Sequence, residues 1–142
     1  LGYAWNSRVG WLDFGCVGCN VFTPQEPGEL AGMAYSNNAG FIFLNCLDSN
    51  SCSNVDFKVQ KDINGDLSGW AWSEKYGWIS FNCLTDGSCS QSNYKVSINP
   101  TTKEFEGYAW SQNLGWISFN CQTGGYTGEN ICSQSNYKVY LK

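Results

Sequence analysis

The chain repeats itself, and that limits its fold more than any other feature. Gly2-Tyr3-Ala4-Trp5, Gly32-Met33-Ala34-Tyr35-Ser36, Gly69-Trp70-Ala71-Trp72-Ser73 and Gly107-Tyr108-Ala109-Trp110-Ser111 are versions of one segment, set 30, 37 and 38 residues apart. Each leads within a few residues to a second: Gly10-Trp11-Leu12-Asp13-Phe14-Gly15-Cys16, Gly40-Phe41-Ile42-Phe43-Leu44-Asn45-Cys46, Gly77-Trp78-Ile79-Ser80-Phe81-Asn82-Cys83 and Gly115-Trp116-Ile117-Ser118-Phe119-Asn120-Cys121. A second cysteine follows in every copy, and three copies continue into Phe57-Lys58-Val59, Tyr94-Lys95-Val96 and Tyr137-Lys138-Val139. A unit this short cannot bury its own apolar face, so the copies must pack on one another. The frame divides the chain into residues 1–29, an atypical first unit, and residues 30–66, 67–104 and 105–142.

Within a unit the two segments are joined by three residues and a glycine, as in Glu74-Lys75-Tyr76-Gly77, which predicts a hairpin closed by a glycine at positive φ. Alternation in the second strand puts Ile79, Phe81 and Cys83 on one face and Trp78, Ser80 and Asn82 on the other, with the first set as the core. The alanine kept in every first strand, Ala4, Ala34, Ala71 and Ala109, points to a closely apposed layer. A third strand such as Tyr94 to Ile98 turns into the next unit through Asn99-Pro100-Thr101-Thr102, and Asn64-Gly65 marks the equivalent turn one unit earlier. In unit one that strand shrinks to Asn20 to Thr23, ahead of Pro24-Gln25-Glu26-Pro27. The expectation is an all-β fold of four three-stranded units in a solenoid-like or propeller-like array, with a crossover at the Cys83 to Asn93 connection restoring strand direction.

Composition narrows the function. Only 14% of residues are charged and the net charge is −4, so the cationic stripe that nucleic acid requires is missing. The longest apolar runs are a few residues, too short for a membrane-spanning helix. The start at Leu1, inside a patterned segment, is read as a processed chain or an excerpt. There is no histidine, so a Ser or Cys nucleophile would lack its usual base, and the 12 carboxylates do not recur as a pair in the repeat. The expectation is no enzyme, no catalytic residues and no cofactor.

Eight cysteines without histidine predict disulfides and an oxidising, extracellular compartment. The simplest pairing stays within units: Cys16 with Cys19, Cys46 with Cys52, Cys83 with Cys89, and Cys121 with Cys132. Redox or metal-binding use of Cys16 and Cys19 is the competing reading. Asp62, Asn64 and Asp66 have calcium-loop spacing, but Leu67 stands where the loop needs glycine and no Glu follows at position twelve, so a polar hairpin turn is expected and no metal.

The run Gly-x-Ala-Trp-Ser-x-x-x-Gly-Trp-Ile-Ser-Phe-Asn-Cys resembles tandem Trp-rich repeats in predicted secreted proteins of uncultivated candidate-phylum bacteria. The resemblance is close over units two to four and looser over unit one. It implies a bacterial cell-surface location.

Two functions compete. The third strand at Asn136 to Lys142 lacks a following unit and Leu1 to Trp5 lacks a preceding strand, so Leu1, Tyr3, Trp5, Tyr137, Val139 and Leu141 are expected to join copies of the chain head to tail in an extracellular filament or surface layer. The alternative is a lectin-like adhesin that binds glycan through Trp70, Trp72, Tyr108 and Trp110.

Overall fold

A computed structural model describes residues 1–23 and 28–142; the Pro24-to-Pro27 stretch, which the sequence places after the first unit's third strand, lies outside the described residues. Four hairpins follow the repeat: β1 (Tyr3–Asn6) with β2 (Gly10–Asp13), β4 (Met33–Ser36) with β5 (Gly40–Phe43), β7 (Leu67–Ser73) with β8 (Gly77–Ser80), and β10 (Phe105–Ser111) with β11 (Gly115–Ser118). Shorter strands β3 (Glu29–Leu30), β6 (Val59–Lys61) and β9 (Val96–Ile98), a one-turn helix α1 (Cys83–Asp86) and a 3-10 turn at Cys121–Thr123 complete the set among the described residues. Hairpin serine or asparagine closes each turn: Asn6 Oδ1 accepts from the Val9 amide, Ser36 Oγ from Ala39, Ser73 Oγ from Tyr76 and Ser111 Oγ from Leu114.

The hairpins do not form separate blades or stacked layers. Neighbours share edges, β2 with β4, β5 with β7 and β8 with β10, and β11 returns to β1 through Trp5 opposite Ser118 and Asn6 opposite Ile117. The result is a closed antiparallel barrel of eight strands, in place of the expected solenoid or propeller. Its strands have 4 to 7 residues, fewer than the roughly 9 to 11 a strand needs to span a bilayer. No helix among the described residues is long and apolar enough to cross a membrane.

Closure also occupies the edges expected to recruit a second chain. Gly2 bridges Val139, the Tyr3 amide donates to Lys138 O at 2.9 Å, and Leu1 O accepts from the Tyr140 amide at 2.8 Å. Val139 is fully buried, Tyr137 nearly so, and Leu141 packs against the core, so Leu1, Tyr3, Trp5, Tyr137, Val139 and Leu141 meet inside one chain instead of bridging two. The physical reason is that four hairpins are enough to bring a twisted antiparallel sheet round onto itself, which removes both edges at once. The far end of the barrel is cyclic as well. Each turn reaches back to the previous unit: Asn38 Nδ2 donates to Val9 O, Lys75 Nζ to Asn38 O, Asn113 Nδ2 to Tyr76 O, and Arg8 Nη1 to Asn113 O. At the seam the longer Asn6 replaces serine and donates to both Leu114 O and Trp116 O.

Every strand pairing among the described residues is antiparallel, and the chain between β5 and β7 and between β8 and β10 runs through a third strand set off the barrel path. A third strand bridges its own hairpin, Asn82 opposite Lys95, and then pairs with the start of the next unit, Val96 opposite Gly107. β7 and β10 change partner within their length, the first three residues pairing with β6 or β9 and the rest with β8 or β11.

The barrel interior is filled, as expected at this strand number. Ala4, Ala34, Ala71 and Ala109 face Leu12, Ile42, Ile79 and Ile117 across the hairpins, and all eight are buried. Phe14, Leu44, Phe81 and Phe119 form the next layer, and Val59, Val96, Val139, Leu30, Leu67 and Phe105 close the lower end. The alanines are small because the barrel lumen leaves no room. Ala71→Leu is therefore expected to lower stability by about 1 to 3 kcal/mol through overpacking. Thermal melting checks this, and an unchanged midpoint would place Ala71 against open space.

Candidate functional site

Alternation that sends alanine and isoleucine inward sends the large aromatics outward. Trp72 stands opposite Trp78 with ring centroids 4.7 Å apart; Trp5 with Trp11 and Trp110 with Trp116 repeat the pair at the same distance, and Tyr35 with Phe41 replaces it in unit two at 5.1 Å. Two more rings converge on each second-strand tryptophan. One comes from its own first strand: Tyr3 on Trp11, Trp70 on Trp78 and Tyr108 on Trp116, at 6.2, 6.1 and 6.0 Å. The other comes from the preceding unit's third strand: Tyr137 on Trp11, Phe57 on Trp78 and Tyr94 on Trp116, at 5.3, 5.3 and 5.2 Å. In unit two the matching third-strand position is Cys19, as Asn20 O approaches Gly32 the way Lys58 O approaches Gly69. The barrel surface thus carries aromatic clusters astride unit boundaries.

Of the residues expected to contact glycan, Trp70, Trp72, Tyr108 and Trp110 are half-buried and flank these clusters. The centres are Trp11, Trp78 and Trp116, which are 44%, 39% and 42% exposed. The strand alternation carries their signal, since it sets Trp78 on the face opposite Ile79, but alternation alone does not show that the second strand, rather than the first, holds the centre of each cluster. Ser80 and Asn82, on that same outward side, are buried after all. Tyr94 of the third strand covers Ser80, its Oη 2.8 Å from Ser80 Oγ, while Asn82 Nδ2 donates to Leu67 O at 2.8 Å and its Oδ1 caps α1 through the Leu84 amide. Asn45 and Asn120 make the same link to Leu30 O and Phe105 O, both at 3.0 Å.

Tyr94 also donates to Asp86 Oδ2 at 2.6 Å. Burial and this bond to a carboxylate push its pKa up to about 12, while Asp86, which burial works to raise, is held below the usual carboxylate value by hydrogen bonds from Ser88 and Tyr94. A phenol whose folded pKa is raised contributes stability below its ordinary value near 10 and loses it as pH climbs through the folded value near 12. Burial raises the Tyr108 phenol as well, so alkaline titration by tyrosinate absorbance should show a late-titrating fraction from which Tyr94→Phe removes one phenol. An undiminished late amplitude in the variant would contradict the assignment.

The four expected disulfides are all present, Cys16–Cys19, Cys46–Cys52, Cys83–Cys89 and Cys121–Cys132. Each closes the loop that carries a third strand back under its hairpin. Such crosslinks contribute about 2 to 3 kcal/mol apiece in the chain-entropy model. Cys46 and Cys52 lie with Asp56 within 4.8 Å, a spacing suited to a cation, but their sulfurs are joined to each other and offer no thiolate. Asp62, Asn64 and Asp66 form the expected turn: Asp62 Oδ1 accepts from the Asn64 and Asp66 amides, and Asp66 pairs with Lys95 at 3.0 Å. Glu29 with Lys58 and Glu104 with Lys138 repeat that ion pair in the flanking units. These carboxylates serve the frame.

No family model matches the chain, and neither does any curated protein or solved structure.

Proposed function

We propose that the chain is an extracellular glycan-binding module, an adhesin in the broad sense, whose contact surface is the set of aromatic clusters on the outside of the barrel. The observation that carries this reading is the division of aromatic labour. The core is filled by Phe14, Phe81, Phe105 and Phe119 with aliphatic partners, so the outer tryptophans are not needed to fill it, yet Trp11, Trp78 and Trp116 remain about two-fifths exposed. Exposed aromatic clusters mark interaction sites. Rings fringed by hydroxyls and amides, with few charges, suit the apolar C–H faces and hydroxyl rims of sugars. Four disulfides fit an oxidising compartment in which such a ligand would be met. A filament built by strand exchange has less support, because its edges are paired within the chain.

The test is a glycan array probed with the wild-type chain and with the triple variant Trp11→Ala, Trp78→Ala, Trp116→Ala. Selective binding that the triple variant loses, with the disulfides and far-ultraviolet spectrum intact, is the expected result. An array with no selective signal, or equal binding by both proteins, would reject the reading.

A further inference from the structure

Two of the aromatic clusters are built alike. The loops that rim them, Cys89-Ser90-Gln91-Ser92-Asn93-Tyr94-Lys95-Val96 and Cys132-Ser133-Gln134-Ser135-Asn136-Tyr137-Lys138-Val139, are identical in sequence. The segments just before them are not: Leu84 to Ser88 against Gln122 to Ile131, with disulfide separations of 6 and 11 residues. The first loop packs Tyr94 on Trp116, and the second packs Tyr137 on Trp11 and shares a groove with Tyr3. They differ at the first-strand ring: the Tyr108 hydroxyl donates to the carbonyls of Thr123 and Gly125 in its own unit, whereas Tyr3 is exposed. Ring geometry agrees between them, with Tyr108–Trp116 at 6.0 Å and 71° against Tyr3–Trp11 at 6.2 Å and 73°, and Tyr94–Trp116 at 5.2 Å and 76° against Tyr137–Trp11 at 5.3 Å and 68°. In both, the phenol at the base reaches a buried hairpin serine, Tyr94 to Ser80 and Tyr137 to Ser118.

The buried Tyr and Val of the loop answer to packing. Asn93 and Asn136 are exposed; each rests its Oδ1 3.6 Å from a disulfide sulfur, Cys83 or Cys121, as Asp56 does at Cys46, but their amide nitrogens have no protein partner among the described residues. The Tyr3, Trp11, Ser135, Asn136 and Tyr137 set encloses a groove of about 320 Å³ with no charged side chain in its lining. An aromatic floor, a hydroxyl and an amide at the rim, and no formal charge select a neutral pyranose: the sugar's C–H face lies on the indole and its hydroxyls meet the amide. The third cluster departs from this chemistry. Around Trp78 the base is Phe57, the rim residues are Val55 and Asp56, and the first-strand ring is Trp70. A carboxylate has replaced the amide and the phenol is gone.

We infer that the chain carries two equivalent subsites for neutral pyranose units, one at Trp11 with Asn136 and one at Trp116 with Asn93, on adjacent boundaries of the barrel. The inference rests on the glycan-binding reading and adds location, number and ligand charge. Two subsites on one rigid barrel let a single chain grip a polysaccharide at two points, raising avidity beyond that of either groove.

Titrating isotopically labelled protein with cellohexaose, chitohexaose and mannohexaose, and following the tryptophan indole N–H signals, tests it. At least one of these probes should move the Trp11 and Trp116 signals together with closely similar apparent Kd, a calorimetric stoichiometry of two, and little change at Trp78. Asn93→Ala and Asn136→Ala, both exposed and outside the core, should each weaken one subsite and leave the other tryptophan's titration as in wild type. Shifts centred on Trp78, or on Trp72 and Trp110 without Trp11 and Trp116, would overturn the two-subsite inference and leave glycan binding standing. Absence of shifts with these probes alongside a positive glycan array would overturn the assignment to neutral pyranoses. Absence of shifts together with a blank array would overturn both.

Discussion

Gly107→Ala should cost about 3 to 5 kcal/mol, an effect large enough to threaten folding. Gly107 has φ of +91°, where a side chain is strained, and a Cβ built there would lie 2.2 Å from Lys95 O. That oxygen cannot withdraw, because it accepts from the Tyr108 amide at 3.1 Å where β10 passes from β9 to β11. The same geometry occurs once per unit: at Gly2, Gly32 and Gly69 a Cβ would meet Lys138 O, Asn20 O or Lys58 O at 2.0, 1.8 or 2.2 Å. Four glycines thus permit the third strand of one unit to touch the first strand of the next. Gly87→Ala supplies the control, since Gly87 also has positive φ, +74°, but nothing lies within 4 Å of its Cβ. Its cost should stay near the 1 to 2 kcal/mol of left-handed strain alone. Equal losses in urea unfolding for the two variants would show that the close approach at Gly107 does not exist.

Phe119→Ala should also cost about 3 to 5 kcal/mol, for a different reason. Phe119 is almost completely buried, and three other core rings surround it: Phe14 of unit one at 5.8 Å, Phe81 of unit three at 5.4 Å, and Phe105 of its own unit at 5.9 Å. Truncation leaves a void between three units at once, and close-packed neighbours relax only partly into it. Phe41→Ala removes a ring of the same size from the outer face, where it is already 38% exposed, and should cost markedly less. Denaturant midpoints of the two variants measure the contrast. Similar losses would mean that the rings at Phe119 do not form the junction of the core.

Short-range chemistry was legible in the sequence. Hairpins, the inward Ile79 and Phe81, the buried alanines, the polar turn at Asp62 to Asp66 and the disulfide partners all depend on residues close together in the chain, where period-2 alternation and turn chemistry operate. What spans the chain was not. Pairing of Gly2 with Val139 and of Trp5 with Ser118 depends on how far each hairpin twists relative to the last, and no local pattern states that angle. The same cause hid the buried Ser80 and Asn82. Alternation places them outward correctly, but the third strand lies over them, and its path follows from the bend at Gly69 and Gly107. The candidate site was half visible: the tryptophan repeat announced an aromatic surface, while the boundary-straddling clusters formed by Tyr94 on Trp116 and Tyr137 on Trp11 needed the closed barrel to appear.

Closure within one chain is the claim on which the rest depends, and cross-strand nuclear Overhauser contacts at the seam test it most directly. In a uniformly labelled sample, contacts should connect Trp5 with Ser118 and Asn6 with Ile117. In a sample refolded from equal parts labelled and unlabelled chain, an isotope filter that passes only contacts between different molecules should erase them. Survival of the Trp5–Ser118 contact through that filter would mean that the first and last hairpins pair between chains and that the barrel does not close on itself.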